Sequence, residues 1–175
     1  MVMATLFESI DQERIEETGL EWKRRRQELS QWTVLEHYHW DWGLKSRIFP
    51  QCQTFAIEYR GEILGLMMVD TTSYFTKLFP DRGKPILYVS YIENNPLSIC
   101  HKHFKYVGLQ LYRTAVRHSM ETGSEGRVGL HALPQAEVFY EETCGMTRLE
   151  EYCSNEGLVY FETTRIQSWE ILRKY

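Results

Sequence analysis

Apolar and polar residues alternate along this chain in two rhythms, one helical and one extended. From Asp11 to Leu29 the rhythm is helical, with Ile15, Trp22 and Leu29 seven residues apart and charges between them. Before it, residues 1–10 read as a short edge strand, Ala4 to Ser9, or a disordered start. After it, Ser30 is placed to cap a second helix from Gln31 toward Lys45, with Trp32, Leu35, His39 and Trp42 on its inner face. Gln53 to Val69 then reads as a β-hairpin turning at Arg60-Gly61-Glu62. Ile86 to Glu93 is a third strand, which Asn94-Asn95-Pro96 ends because proline lacks a donor and biases its predecessor away from helix. Between them, Asp70 to Lys84 is a long polar connection carrying Tyr74, Phe75 and Phe79, and connections of that length often line sites.

Residues 97–104 read as an insertion. Val107 to Glu121 is the most regular helix, with Gly108, Leu111, Tyr112, Ala115, Val116 and Ser119 on one face and Gly123 as its stop. A strand over 127–133, a turn at Pro134 and a helix over 135–144 follow. That helix puts Ala136, Phe139, Tyr140 and Thr143 on one face and stops at Gly145. Strands near 147–153 and 158–165 and a short last turn from Ile166 complete the reading, with no internal repeat or linker.

Composition narrows the class. A chain of 175 residues with 43% hydrophobic and 14% aromatic content fits one globular domain, with a helical part over 11–47 and a core over 86–146. No apolar run reaches the roughly 18–20 residues of a membrane span, so no membrane partner is expected. The first residues lack a basic segment followed by an apolar one. Four scattered cysteines (Cys52, Cys100, Cys144, Cys153) fit a reduced, cytoplasmic setting. A formal net charge of -4 argues against a nucleic-acid binder and suits a cationic amine. The run Lys23-Arg24-Arg25-Arg26 reads as the wet face of a helix, with phosphate contact as the rival reading. Cys100, His101 and His103, and the pair His37 and His39, lack the spacing of about four converging ligands, so no metal is expected.

Two segments carry a family resemblance. Lys105-Tyr106-Val107-Gly108-Leu109-Gln110 precedes and opens the regular helix. Ala136, Phe139, Tyr140, Glu141 and Gly145 punctuate the next one. Together they resemble the GNAT superfamily of acetyl-CoA-dependent N-acetyltransferases, over roughly residues 54–166. The family's acyl-CoA loop has glutamine or arginine, two variable residues, glycine, one variable residue and then a small residue. Gly108 matches, Lys105 is a basic stand-in, and Gln110 departs at the last position; Leu133 stands where the family often carries asparagine. The resemblance implies an α/β (α+β) fold with a mixed, mostly antiparallel central sheet flanked by helices. It also implies acetyl-CoA held by residues 105–110, with its pyrophosphate at a helix N-terminus. The pantetheine arm would lie between two splayed strands, paired with backbone groups of Tyr91 and Ile92, and Tyr140 would act as acid toward the leaving thiolate.

The residues themselves leave the base open. Glu93 shares a strand face with Leu87, Val89 and Tyr91 and is either a base, acting directly or through water, or a solvated strand-end carboxylate. Asp70 is the alternative base or an anchor for a cationic substrate, and His131 is a third option or a hydrogen-bonded core residue. Tyr140 itself, on spacing alone, reads as a core tyrosine bonded to a backbone group. Asp70, Tyr74, Glu93 and His131 form the expected substrate set. The expected acceptor is a primary amine, on a small molecule or on a protein or peptide, attacked directly in a ternary complex. The rival class is a non-catalytic acyl-CoA-binding or interaction module. Folds of this kind often pair through sheet edges, which makes a homodimer one expected assembly.

Overall fold

A computed structural model describes residues 5–7, 10–29, 37, 39–99 and 106–174. The chain forms two compact units, one of residues 1–68 and 92–111, the other of 69–91 and 112–175. Strand β4 and helix α3 each contribute to both. The fold is α/β, with a mixed, mostly antiparallel sheet flanked by helices.

In the first unit, α1 (Gln12–Leu29) begins where the Asp11 carboxylate accepts from the Arg14 amide at 2.8 Å. Its buried stripe is Ile15, Thr18, Gly19, Trp22 and Arg26. The next helix among the described residues is α2 (Trp42–Ile48), capped by Asp41, whose carboxylate accepts from the Leu44 amide at 2.9 Å; most of the expected span from Gln31 lies outside the described residues. Trp42 is buried as expected, but His39 is exposed, because the residue lies ahead of the helix and not on it. Ser30, Trp32 and Leu35 lie outside the described residues. Strand β1 (Thr5–Phe7) pairs antiparallel with β2 (Gln53–Tyr59), which turns into β3 (Glu62–Asp70) through Arg60 and Gly61. Both turn residues have positive φ, 52° and 84°, as a two-residue hairpin turn requires. The end of β4 (Leu87–Asn94) closes on this hairpin: the Asn95 amide donates to the Leu64 carbonyl at 2.8 Å. Gly65 lies under the first turns of α3 (Val107–Glu121). A Cβ there would sit 2.6 Å from Val107 Cγ1 and 2.8 Å from Leu111 Cδ1. Gly65→Ala is therefore expected to cost about 1–3 kcal/mol by overpacking, measurable as a lowered urea midpoint at unchanged m.

In the second unit the strand order is β4-β5-β7-β6, with β5 (Val128–Ala132), β6 (Thr147–Leu149) and β7 (Val159–Thr163). β5 is parallel to β4 and antiparallel to β7. The remainder of α3 buries Tyr112, Ala115, Val116 and Ser119, as their spacing requires, and Gly123 follows with φ 86°.

Two expectations are corrected here. Residues 135–144 are not a regular α-helix: a 3-10 turn (Pro134–Ala136) runs into a π-helical segment (Phe139–Thr143). The Cys144 amide reaches back five residues to the Phe139 carbonyl, 3.0 Å. Tyr140 and Cys144 are buried, while Ala136, Phe139 and Thr143 are only half-buried. The apolar Cys144 goes inward where the polar Thr143 was expected. The glycine stop stands: the Met146 amide bonds the Tyr140 carbonyl across Gly145. The tail is not a short turn but a ten-residue helix, α4 (Arg165–Lys174). Thr164 and Gln167 cap it reciprocally, amide to side chain at 2.9 and 3.3 Å.

Candidate functional site

The register between β4 and β5 covers only Leu87↔Val128, Tyr88↔Gly129 and Val89↔Leu130. β4 carries on through Ser90 and Tyr91, and β5 through His131 and Ala132. The two strands part at that point. Tyr88 and His131 flank the opening on one face of the sheet. The Tyr88 hydroxyl meets His131 Nδ1 at 2.7 Å, and His131 Nε2 lies 3.0 Å from the Tyr152 carbonyl. A carbonyl can only accept, so Nε2 carries the hydrogen and the Tyr88 hydroxyl donates to Nδ1. Burial pushes the Tyr88 phenol well above the ordinary tyrosine range, so it remains protonated. Tyr74 stacks on Tyr88 with ring centroids 3.9 Å apart, and Tyr160 tilts against His131 at 5.0 Å.

On the opposite face, Tyr140 is 4% exposed. Its ring lies 5.1 Å from Phe139 and 6.1 Å from Phe161. Burial raises its pKa, and the neighbouring Cys144 adds to the effect. Among the described residues its hydroxyl has no hydrogen-bond partner, unlike a core tyrosine tied to the backbone. Cys144 is itself buried and its thiol pushed up by burial, so it is not a poised nucleophile.

Asp70 is buried but engaged. Its Oδ1 accepts from the Thr72 amide (2.8 Å), the Thr72 hydroxyl (3.0 Å) and the Ser73 amide (3.1 Å). Burial works against its charge, but these donors prevail and hold its carboxyl below the ordinary value. It shapes the start of the long connection, which leaves it poorly suited to take a proton. Glu162, not anticipated from the sequence, grips the same connection. Its carboxylate accepts from the Thr76 hydroxyl, the Lys77 and Leu78 amides (2.9 and 3.3 Å) and the Tyr160 hydroxyl (3.1 Å).

In the first unit, α3 opens at Tyr106, whose φ is 72° and whose carbonyl accepts the first helical bond, from the Gln110 amide at 2.9 Å. The amides of Val107, Gly108 and Leu109 precede that bond and lie at the positive end of the helix dipole. Gly108 is half-buried, Leu109 buried and Gln110 exposed. Lys105 lies outside the described residues, as do Cys100, His101 and His103. Among the described residues there is no group of three or more metal-ligating side chains.

Glu93 sits neither in solvent nor among purely apolar neighbours, the two settings expected for it. It is 4% exposed, and its carboxylate takes Arg26 Nη1 at 2.6 Å, Trp42 Nε1 at 2.6 Å and His37 Nε2 at 3.3 Å. Arg26 is fully buried and also donates to the Trp40 carbonyl. This carboxylate binds α1, the His37–Trp42 stretch and the end of β4 together. Arg26 was placed on a wet face by its charged neighbours; its position four residues after Trp22, on the same face of α1, was the overlooked signal.

No helix among the described residues is long and apolar enough to cross a membrane. No family model matches the chain, and no curated protein does. Solved structures do. An acetyltransferase of the GNAT family from Listeria monocytogenes superposes with a TM-score of 0.62 at 13% identity, covering 93% of this chain and 95% of that one. A bacterial toxin superposes at 0.60 and 14% identity, covering 100% and 97%. A predicted acetyltransferase with acetyl-CoA from Clostridium acetobutylicum superposes at 0.58 and 11% identity, covering 87% and 95%. The chain has the GNAT fold.

Proposed function

We propose that this chain, built on the GNAT fold, transfers the acetyl group of acetyl-CoA to a primary amine by direct attack. The observation that carries the reading is the parting of β4 and β5 after Val89 and Leu130, flanked by a proton-accepting pair. The amides of Val107, Gly108 and Leu109 would take the pyrophosphate, with Lys105 as an added cation. Gln110 is exposed and its amide belongs to the helix, so it is not assigned a phosphate contact. The backbone of Tyr91 and Ile92 would meet the pantetheine amides. Tyr140 would protonate the departing thiolate from a hydroxyl with no competing partner among the described residues.

For the base we assign Tyr88 with His131 in place of Glu93. As the amine attacks, its proton passes to the Tyr88 oxygen while the Tyr88 proton passes to His131 Nδ1. The resulting imidazolium keeps its Nε2 hydrogen on the Tyr152 carbonyl, whose dipole favours that charge. Tyr88→Phe is expected to lower kcat about a hundredfold with KM little changed, and His131→Ala to do the same. An undiminished kcat in both variants would remove the pair from the mechanism. The test of the whole reading is thiol release from acetyl-CoA with a panel of amines, alongside calorimetric titration of the wild type and of Gly108→Glu. Tight binding lost in the glutamate variant, with amine-dependent release, supports the enzyme. Binding without release for any amine would point to a non-catalytic acyl-CoA module.

A further inference from the structure

At the end of β5 away from the strand opening lies a separate cavity of about 460 Å³, a size usual for small-molecule sites. Arg127, just before β5, and Thr164, just after β7, line it together with the start of α4 and part of the connection between β3 and β4. Leu78, Pro80, Ile166 and Trp169 supply its apolar walls. Ile166 and Trp169 are 73% and 56% exposed, although burial would suit both.

The carboxylates around this cavity are all engaged. Glu162 accepts from Thr76, Lys77, Leu78 and Tyr160. Asp81 takes Lys84 Nζ at 2.5 Å and Arg127 Nη1 at 3.5 Å. One oxygen of Glu125 serves two guanidiniums, Arg127 at 3.0 Å and Arg165 at 3.2 Å. The spare capacity is on the donor side. Arg127 is 2% exposed; its Nε donates to the Pro85 carbonyl at 3.0 Å and its Nη1 to the two carboxylates. Nη2 donates to no acceptor among the described residues, yet it is not sealed in protein, so its hydrogens meet the cavity that Arg127 lines. The Arg165 and Ile166 amides precede the first helical bond of α4, from the Ser168 amide to the Thr164 carbonyl at 3.0 Å, and the positive end of the helix dipole lies with them.

We infer that this cavity binds a small aromatic monocarboxylate, its carboxylate on Arg127 Nη2 and the N-terminus of α4, its ring against Trp169. An anion supplies the acceptor that the buried Nη2 lacks. A cation would find every carboxylate occupied. A dianion, such as a phosphate monoester, would meet stronger repulsion from Asp81, Glu125 and Glu162 than a single charge does. The flat indole of Trp169 suits a ring better than a flexible chain, because a ring loses less freedom on binding.

The test is calorimetric titration of the full chain with 2-naphthoate, without acetyl-CoA and so independent of any acetyl transfer. One-to-one binding with a Kd of about 0.1 mM is expected. The uncharged 2-naphthamide should bind about tenfold more weakly, having lost the charge-assisted bonds. Trp169→Ala should weaken 2-naphthoate binding about tenfold. Ile166→Glu, which sets a like charge at the mouth, should abolish it. Both side chains are largely exposed, so both variants should keep the wild-type melting curve. Arg127→Lys, which lacks the terminal fork, should weaken 2-naphthoate about tenfold; should that variant fail to fold, the amide comparison carries the charge test alone. Leu44→Ala, at an exposed position on α2, should change nothing. The inference is overturned by an absence of binding, by equal affinity for 2-naphthamide or for octanoate, or by an affinity indifferent to Trp169→Ala and Ile166→Glu.

Discussion

Tyr140→Phe should lower kcat by about three orders of magnitude while leaving KM for acetyl-CoA and the melting temperature nearly unchanged. The substitution removes one oxygen and keeps the ring that packs against Phe139 and Phe161. The Tyr140 hydroxyl has no partner among the described residues, so its loss breaks no hydrogen bond described in the fold. What disappears is the proton for the leaving thiolate, and general acids contribute about 10²–10⁴. Burial raises the Tyr140 pKa, which favours the neutral phenol. The wild type should therefore hold its rate on the alkaline side beyond the ordinary tyrosine value of about 10. Tyr140→Phe should lose rate at every pH. A variant as fast as the wild type would make Tyr140 a packing residue only.

Glu93→Ala should cost about 3–5 kcal/mol, since it strands the fully buried Arg26 guanidinium and the Trp42 indole N–H. For a chain of this size that corresponds to a fall of about 10 °C in melting temperature. Arg26→Met alone should cost a comparable amount, by stranding the carboxylate instead. The paired replacement Arg26→Met/Glu93→Leu should recover much of the loss, because removing both charges removes the desolvation penalty. Thermal and urea unfolding of the three variants separates the readings of Glu93. If Glu93→Gln abolished turnover in a protein as stable as the wild type, the carboxylate would be the base and the Tyr88–His131 assignment would fall.

Legibility in the sequence followed the range of the forces involved. Helix α3 and the β2–β3 hairpin were readable because their signals are local: the apolar face Leu111, Tyr112, Ala115, Val116, and a two-residue turn at Arg60-Gly61. The start of α3 and Tyr140 were legible as candidates only because Gly108 and the Phe139–Gly145 run echo a known pattern. What was misjudged depended on distant partners. Arg26 and Glu93 are 67 residues apart and define each other's environment. Tyr88 pairs with His131 only because β4 and β5 lie side by side in matched register. The π-helical segment over 139–143 results from a choice between Thr143 and Cys144 that helical spacing cannot register. α4 was a different failure: its capping pair, Thr164 and Gln167, is local, but exposed Ile166 and Trp169 blur its apolar stripe.

Glu162 separates two tasks in the connection between β3 and β4. Its carboxylate holds Thr76 and the backbone of Lys77 and Leu78, and none of its bonds involves the side chains of Phe75, Lys77, Phe79 or Arg82. The outward side chains can change without loosening the frame that displays them. Single substitutions at those outward positions should therefore carry little risk to folding. Paralogues of this chain should accordingly diverge fastest at positions 75, 77, 79 and 82, and slowest at 76 and 162.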